Sequence, residues 1–144
     1  MTVFVDANVI VYASVPSRYR ASCLEILEAV ANGGVDGRTS AAVVEEVWHL
    51  ELSGRAGDDI TGLARRTYEL FRPLLAVSDE IVARALSIDA PQLGANDRIH
   101  VATALTNGIG TIVSADAGFG QVPGMRRIDP LDSAAVERLF RSST

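Results

Sequence analysis

Four acidic residues lie at the ends of predicted strands and helices or beside the apolar face of a predicted helix. Asp6 directly follows a short apolar run, Asp116 follows a β-branched run, and Asp97 opens an apolar helical stripe. The fourth, Glu46, lies beside another helical stripe. Carboxylates that gather in one place repel one another unless a cation or protons intervene. Oxygen ligands with few imidazoles suit Mg²⁺ or Mn²⁺, so these acids predict a divalent metal site.

The overall charge of the chain is compatible with such a metal site. The 144 residues include 18 acidic and 13 basic side chains, which gives a net charge of −5, and all 13 are arginine. A negative protein is a poor candidate for binding nucleic acid, because affinity for phosphates comes from cations. That objection fails if the four acids hold a metal ion, since the remaining charges nearly balance.

Helical periodicity indicates where two of the acids point. Asp97 shares its face with the apolar residues at i+4, i+7 and i+8, so it stands where an apolar residue is expected. The helix dipole accounts for an acid in the first turn but not for its inward direction. In the pair Glu45–Glu46, the second residue flanks the apolar stripe and the first lies nearly opposite it. We therefore expect Glu46 to face a cleft and Glu45 to be solvated.

The other two acids also have ordinary structural interpretations. Asp6 is a suitable N-cap for the helix that follows it, and Asp116 is a common turn residue. The functional interpretation places both at the carboxyl ends of parallel strands, where ligands bind in open α/β sheets. Asn8 and Ser114, each two residues from one of these acids, would add polar groups there.

The two histidines are interpreted as structural. His100 lies three residues after Asp97, on an adjacent helical face, and a role as a partner of the metal ligands is the alternative to simple packing. His49 has one acidic neighbour on its face, Glu46.

Apolar strands that alternate with amphipathic helices position all of these residues. Continuous apolar strands separated by helices predict a parallel sheet covered on both faces, and the length suits one domain spanning residues 1–144. Strands are predicted at 2–6, 35–39, 74–77, 111–114 and 127–128, and helices at 7–14, 19–32, 41–52, 58–72, 79–88, 96–107 and 132–140.

Four segments together resemble the motifs of PIN-domain nucleases, in order and at the proper spacing. They are VFVDANVI at 3–10, TSAAVVEE at 39–46, NDRIHVATAL at 96–105 and IVSADAGF at 112–119. In the second motif the acid comes six residues after the serine, which selects Glu46. The match covers essentially the whole chain, and at this size the chain is similar to the toxins of VapBC toxin–antitoxin pairs.

The resemblance implies a three-layer α/β/α sandwich with a parallel sheet of about five strands. It implies Mg²⁺- or Mn²⁺-dependent hydrolysis of RNA that leaves 5′-phosphate and 3′-hydroxyl ends, and inhibition by a VapB-like antitoxin. The high apolar content predicts a homodimer as well. The implied site consists of three metal ligands, one residue that orients water or binds a second ion, and two supporting residues: Asp6, Asp97 and Asp116; Glu46; Asn8 and Ser114.

Other classes of protein fit less well. A phosphoacceptor receiver domain needs a strand-end lysine, and a Rossmann enzyme needs a glycine-rich turn where Asp6-Ala7-Asn8 stands. A catalytically silent PIN-like module that only binds protein stays open as the alternative. No apolar stretch approaches the ~20 residues of a transmembrane helix and no signal peptide is recognised, so we expect a cytoplasmic protein without membrane attachment.

Overall fold

A sheet of four parallel strands forms the centre of the computed structural model, which describes residues 1–142. The strands are β1 (Thr2–Val5), β2 (Asp36–Arg38), β3 (Thr111–Val113) and β4 (Arg126–Ile128), in the spatial order β2-β1-β3-β4. All of β3, and all of β1 except its first residue, is buried. A sheet whose central strands are buried on both sides needs a layer of helices on each face, as in the predicted α/β/α sandwich.

The helices begin and end at the signals that the sequence provides. Ser40 and Ser78 accept hydrogen bonds from the backbone N–H groups of Val43 and Ile81, and Gly54 ends its helix with a left-handed φ of 72°. The seven α-helices of the described residues are α1 (Ala7–Tyr12), α2 (Arg20–Ala31), α3 (Ala41–Ser53), α4 (Leu63–Phe71), α5 (Asp79–Leu86), α6 (Ala95–Thr106) and α7 (Ser133–Ser142).

The fifth strand, predicted at 74–77, is wrong. Leu75 makes one isolated parallel bridge to Ser40, through hydrogen bonds from Leu75 N to Thr39 O (2.9 Å) and from Ala41 N to Leu75 O (3.0 Å). The chain turns into α3 directly after Ser40, so the partner strand ends and the ladder has nothing further to pair with. The described residues therefore contain four strands rather than about five.

The single helix predicted at 58–72 is divided in two. A 3-10 turn at Asp58–Ile60 precedes α4, and between them Gly62 adopts a φ of 77°, a left-handed conformation that glycine tolerates without strain. The carboxylate of Glu51 on α3 accepts hydrogen bonds from Gly62 N (2.9 Å) and Ala64 N (3.0 Å). A side chain from another helix thus satisfies the first N–H groups of α4.

The sheet brings the ends of β1 and β3 together. Val5 pairs with Val113, and Asp6 N donates to Val113 O at 3.1 Å. Parallel strands end at the same edge, so the residues that follow β1 and β3 share one polar surface. No helix within residues 1–142 is both long and apolar enough to cross a membrane.

Candidate metal centre

Asp6 is both a helix cap and part of a cavity. Its Oδ1 accepts a hydrogen bond from Ala7 N at 2.8 Å, and the residue is almost fully buried. Its Oδ2 accepts from Ser114 Oγ at 2.7 Å and from Asn8 Nδ2 at 3.1 Å. Burial raises the pKa of Asp6 above its usual value, against the lowering effects of His100 and Ser114. The N-cap interpretation is therefore correct but incomplete.

Ser114 and Asn8 hold Asp6 against the end of β3. Ser114 Oγ accepts hydrogen bonds from Asn8 Nδ2 (3.1 Å) and Asp116 N (3.0 Å), so its own hydrogen is left to donate to Asp6. Asn8 Oδ1 accepts from Ala115 N at 3.1 Å. Both supporting residues predicted from the sequence thus lie in one network, which fixes the orientation of the Asp6 carboxylate.

Asp97, near the start of α6, is half-buried beside the other acids. Burial raises its pKa to about 6, the negative charge of Asp6 adds to this rise, and His100 partly opposes it. Within the described part of the chain no group donates a hydrogen bond to its carboxylate. Asp97 therefore faces inward, as the helical periodicity indicated, without a hydrogen-bond donor to its carboxylate.

Glu46 turns toward the same acids, whereas Glu45 is exposed. The Glu46 carboxylate lies 3.5 Å from His100 Nε2 through Oε2, and 3.5 Å from Asn96 Nδ2 through Oε1. Asp116 is exposed and its Oδ1 accepts from Gly118 N at 2.8 Å, so the turn interpretation is correct for this residue. Both acids nevertheless line the cavity that Asp6 and Asp97 line.

His100 is the site residue that sequence reasoning assigned to packing. It is fully buried, and its ring lies 5.8 Å from that of Phe4. Its Nε2 is 3.9 Å from Asp6 Oδ1. Burial lowers the pKa of His100, but the carboxylates of Glu46, Asp6 and Asp97 outweigh burial and leave it raised. The signal was present in the i+3 spacing from Asp97.

A cavity of about 380 Å³ is lined by residues of α1, α3 and α6, together with Asp6 and Asp116. Its lining includes four carboxylates and no arginine within residues 1–142, together with the apolar side chains of α1 and α3. His49, also interpreted as structural, is exposed and lines this cavity. One oxygen from each of Asp6 and Asp97 and one nitrogen of His100 lie within 4.8 Å of one another.

This donor set fits a divalent cation. The closely placed carboxylates of Asp6 and Asp97 would lose repulsion on binding one, and His100, which is buried without a hydrogen bond, would gain a partner at one ring nitrogen. Asp116 lines the same cavity but is not among these three donors.

Comparisons with known proteins agree on one family. Residues 3–125 match the PIN domain. The chain is 28% identical over 142 residues to ribonuclease VapC7 of Mycobacterium tuberculosis (strain ATCC 25618 / H37Rv), covering 96% of this chain and 97% of that protein.

Two solved structures share the fold. VapBC2 from Rickettsia felis, bound to a DNA fragment from its promoter, aligns with a TM-score of 0.68 at 15% identity over 89% of this chain and 98% of that one. A toxin–antitoxin complex from Klebsiella pneumoniae aligns with a TM-score of 0.64 at 18% identity, over 89% and 97% of the two chains.

Proposed function

Because the chain belongs to the PIN domain family, we propose that it is a Mg²⁺- or Mn²⁺-dependent endoribonuclease and the toxin of a toxin–antitoxin pair. The likeness to a VapC ribonuclease over nearly the full length of both chains supports the activity. In this proposal residues 1–144 form one PIN domain, which acts in the cytoplasm, where RNA is available as substrate.

The observation that carries the proposal is the pairing of Asp6 with Asp97. One is buried and the other half-buried, and the pKa of each is raised above its usual value. Two carboxylates whose surroundings oppose their own charge are costly for stability. A cation held by both carboxylates would offset this cost, and a nuclease needs such a cation at the phosphate.

The residues divide the work of phosphodiester hydrolysis. A divalent cation supplies two effects when bound: it lowers the pKa of water and offsets the charge of phosphate oxygens. Asp6 and Asp97 would hold it directly, and Asp116 directly or through water. Glu46 would orient the attacking water and accept its proton at Oε2, while Ser114 and Asn8 keep Asp6 in place. Attack by water does not use the ribose 2′-hydroxyl, so no 2′,3′-cyclic phosphate forms. In this proposal the bond between phosphorus and the 3′ oxygen breaks and the 3′ oxygen takes a proton from solvent, which leaves 5′-phosphate and 3′-hydroxyl ends.

A nuclease assay on the purified chain tests this function. We expect cleavage of cellular RNA with Mn²⁺ or Mg²⁺, none with EDTA, and 5′-phosphate ends at the cut sites. A matched preparation of Asp97→Asn excludes a contaminating ribonuclease. If the folded chain cleaves no RNA with either ion, the alternative of a silent protein-binding module replaces the nuclease.

The toxin role requires a partner that blocks the site. Leu24 on α2 and Tyr68 on α4 are exposed apolar side chains, and Trp48 and Leu52 on α3 are exposed as well. A VapB-like antitoxin would lay a helix over α2 and α4 and direct a basic side chain to the acids. The chain would also form a homodimer.

Co-expression with the product of a neighbouring gene tests the partner. We expect the two proteins to purify together, and growth to stop when the chain is expressed alone. Harmless expression of an active nuclease that binds no neighbouring gene product would contradict the toxin role but leave the nuclease intact.

A further inference from the structure

His100 is a buried polar side chain whose hydrogen-bonding groups are unsatisfied. Its exposed fraction is 0%, and within residues 1–142 neither Nδ1 nor Nε2 has a hydrogen-bond partner. Leaving such groups unpaired in a protein interior is unfavourable, and buried polar atoms are nearly always satisfied. Nε2 lies within ion-pair distance of carboxylates when the ring is protonated, but in the neutral ring this nitrogen has no partner among the described residues.

The position of Nε2 indicates what that partner is. This atom points toward carboxylates, at 3.5 Å from Glu46 Oε2 and 3.9 Å from Asp6 Oδ1. Both distances exceed those of a well-formed N–H···O hydrogen bond, which are about 2.7–3.2 Å. A cation placed among these atoms would bind the oxygens and the nitrogen together, and would fill the space that the long distances leave.

The spacing of the donors suits a single ion. One carboxylate oxygen of Asp6, one of Asp97 and one ring nitrogen of His100 all lie within 4.8 Å of one another. In an octahedral shell with bonds of about 2.1 Å, opposite ligands are about 4.2 Å apart. Small side-chain rotations close this difference, and the Asp97 carboxylate has no hydrogen bond to break.

We propose that Nε2 of His100 is a ligand of the cation that Asp6 and Asp97 hold, which makes the site a mixed oxygen–nitrogen site that selects Mn²⁺ over Mg²⁺. This inference rests on the metal dependence stated under the proposed function and adds a ligand and an ion preference to it. The binding tautomer carries its proton on Nδ1, so that the lone pair of Nε2 is free.

The ion preference follows from ligand chemistry. Mg²⁺ takes oxygen ligands almost exclusively and gives up water reluctantly, whereas affinity for imidazole rises along the first-row divalent ions that begin with Mn²⁺. A site of carboxylates alone would distinguish the two ions weakly. One imidazole nitrogen among the ligands shifts the preference toward Mn²⁺.

Pulsed electron paramagnetic resonance of Mn²⁺ bound to the wild-type chain, without RNA, tests the ligand directly. We expect a nitrogen coupling from a coordinated imidazole. The chain has two histidines, so His49→Gln is the matched control, since His49 is exposed and lines the same cavity. The coupling should persist in His49→Gln and disappear in His100→Gln.

Calorimetric titration of the same three proteins with Mn²⁺ and with Mg²⁺ tests the preference. The amide oxygen of His100→Gln suits Mg²⁺, so we expect its Mn²⁺ affinity to fall about tenfold or more while its Mg²⁺ affinity changes by less than about threefold. His49→Gln should match the wild type with both ions.

Two results would overturn the inference in distinguishable ways. Stoichiometric Mn²⁺ binding by the wild-type chain without nitrogen coupling shows that His100 is not a ligand, and it leaves the proposed nuclease standing. Failure of the wild-type chain to bind either ion overturns the metal dependence as well. The wild-type spectrum decides between these even if His100→Gln does not fold.

Discussion

Helix α3 takes part in two regions where carboxylates meet very different surroundings. At one, Glu46 faces Asp6, Asp97 and His100, and the pKa values of the two aspartates are raised. At the other, Glu51 accepts two backbone N–H groups at the start of α4, and these hydrogen bonds lower its pKa. The carboxylate of Glu51 thus has two backbone donors, whereas the carboxylate of Asp97 has none within the described residues.

The difference separates a structural acid from a candidate metal ligand. Glu51 completes the hydrogen bonding of a helix end, so its charge favours the fold. Asp97 receives no hydrogen bond within the described residues and is surrounded by like charges. A divalent cation would supply the partner that Asp97 lacks, and the predictions below compare the region around Asp97 with the region around Glu51.

The largest effect is expected on RNA cleavage. Asp6→Asn, Asp97→Asn and Asp116→Asn should each lower the cleavage rate by more than about 100-fold, because even the outer partners of metal ligands cost 10–100-fold. Circular dichroism should show an intact fold for each. Glu51→Gln should lower the melting temperature and leave the rate nearly unchanged. A loss of activity in Glu51→Gln without unfolding would contradict the division between the regions.

The adjacent residues Glu45 and Glu46 of α3 test which of the two glutamates belongs to the site. Glu46→Gln should reduce the cleavage rate by about 10–100-fold, whereas Glu45→Gln should have a mild effect, because Glu45 does not face the acids. Rates of both variants, measured at equal protein and Mn²⁺ concentrations, compare them. Equal losses, or a greater loss at Glu45, would show that the wrong glutamate was chosen.

Metal ions should stabilise the acid cluster by relieving its repulsion. At a hundredfold excess over its dissociation constant, Mn²⁺ should add about 2.7 kcal/mol to the free energy of unfolding. For this chain length that corresponds to roughly 8–15 °C in melting temperature relative to EDTA. Sodium at matched ionic strength should not reproduce the rise, because binding requires the folded site rather than general screening.

Variants from the two regions should respond to metal in different ways. Asp97→Asn should raise the melting temperature in EDTA, since it removes repulsion, and should blunt the rise in Mn²⁺, since it removes a ligand. Glu51→Gln should lower the melting temperature in both conditions and keep the full rise. If the wild type melts at one temperature in both conditions and neither Asp97→Asn nor Asp6→Asn is stabilised in EDTA, the acids do not repel one another.

The smallest effect is a pH dependence of the metal-free protein. Burial and neighbouring acids raise the pKa of Asp97 to about 6, and the pKa values of Asp6 and His100 are raised too. The folded state therefore binds protons more tightly than the unfolded chain, so the free energy of unfolding should increase as pH falls from about 7.5 to about 5.

Urea titrations in EDTA at several pH values across this range measure how steeply the free energy of unfolding changes with pH. Asp97→Asn should make this slope shallower, whereas Glu51→Gln should leave it unchanged. The pKa of Glu51 is lowered, so its stabilisation is present above the usual glutamate range and is lost only at lower pH. A wild-type slope equal to that of Asp97→Asn would mean that Asp97 titrates normally.

The sequence alone determined the features that depend on nearest neighbours and periodicity. The sequence pattern predicted that Asp6 and Asp116 follow strands and that Asp97 lies on the inward face of its helix. Ser40 and Gly54 indicated where α3 begins and ends. These depend on backbone geometry within a few residues, which a local pattern expresses directly. The parallel α/β fold followed from the order of such elements.

Only the tertiary structure decided what depends on contacts between distant segments. Leu75 has a single bridge because its partner chain turns into α3, and α4 begins at Leu63 because Glu51 reaches it from α3. His100 became part of the site because α6 packs it between β1 and α3, beside Asp6 and Glu46. A histidine's role is set by which groups surround its ring, and the sequence reports only its neighbours along the chain.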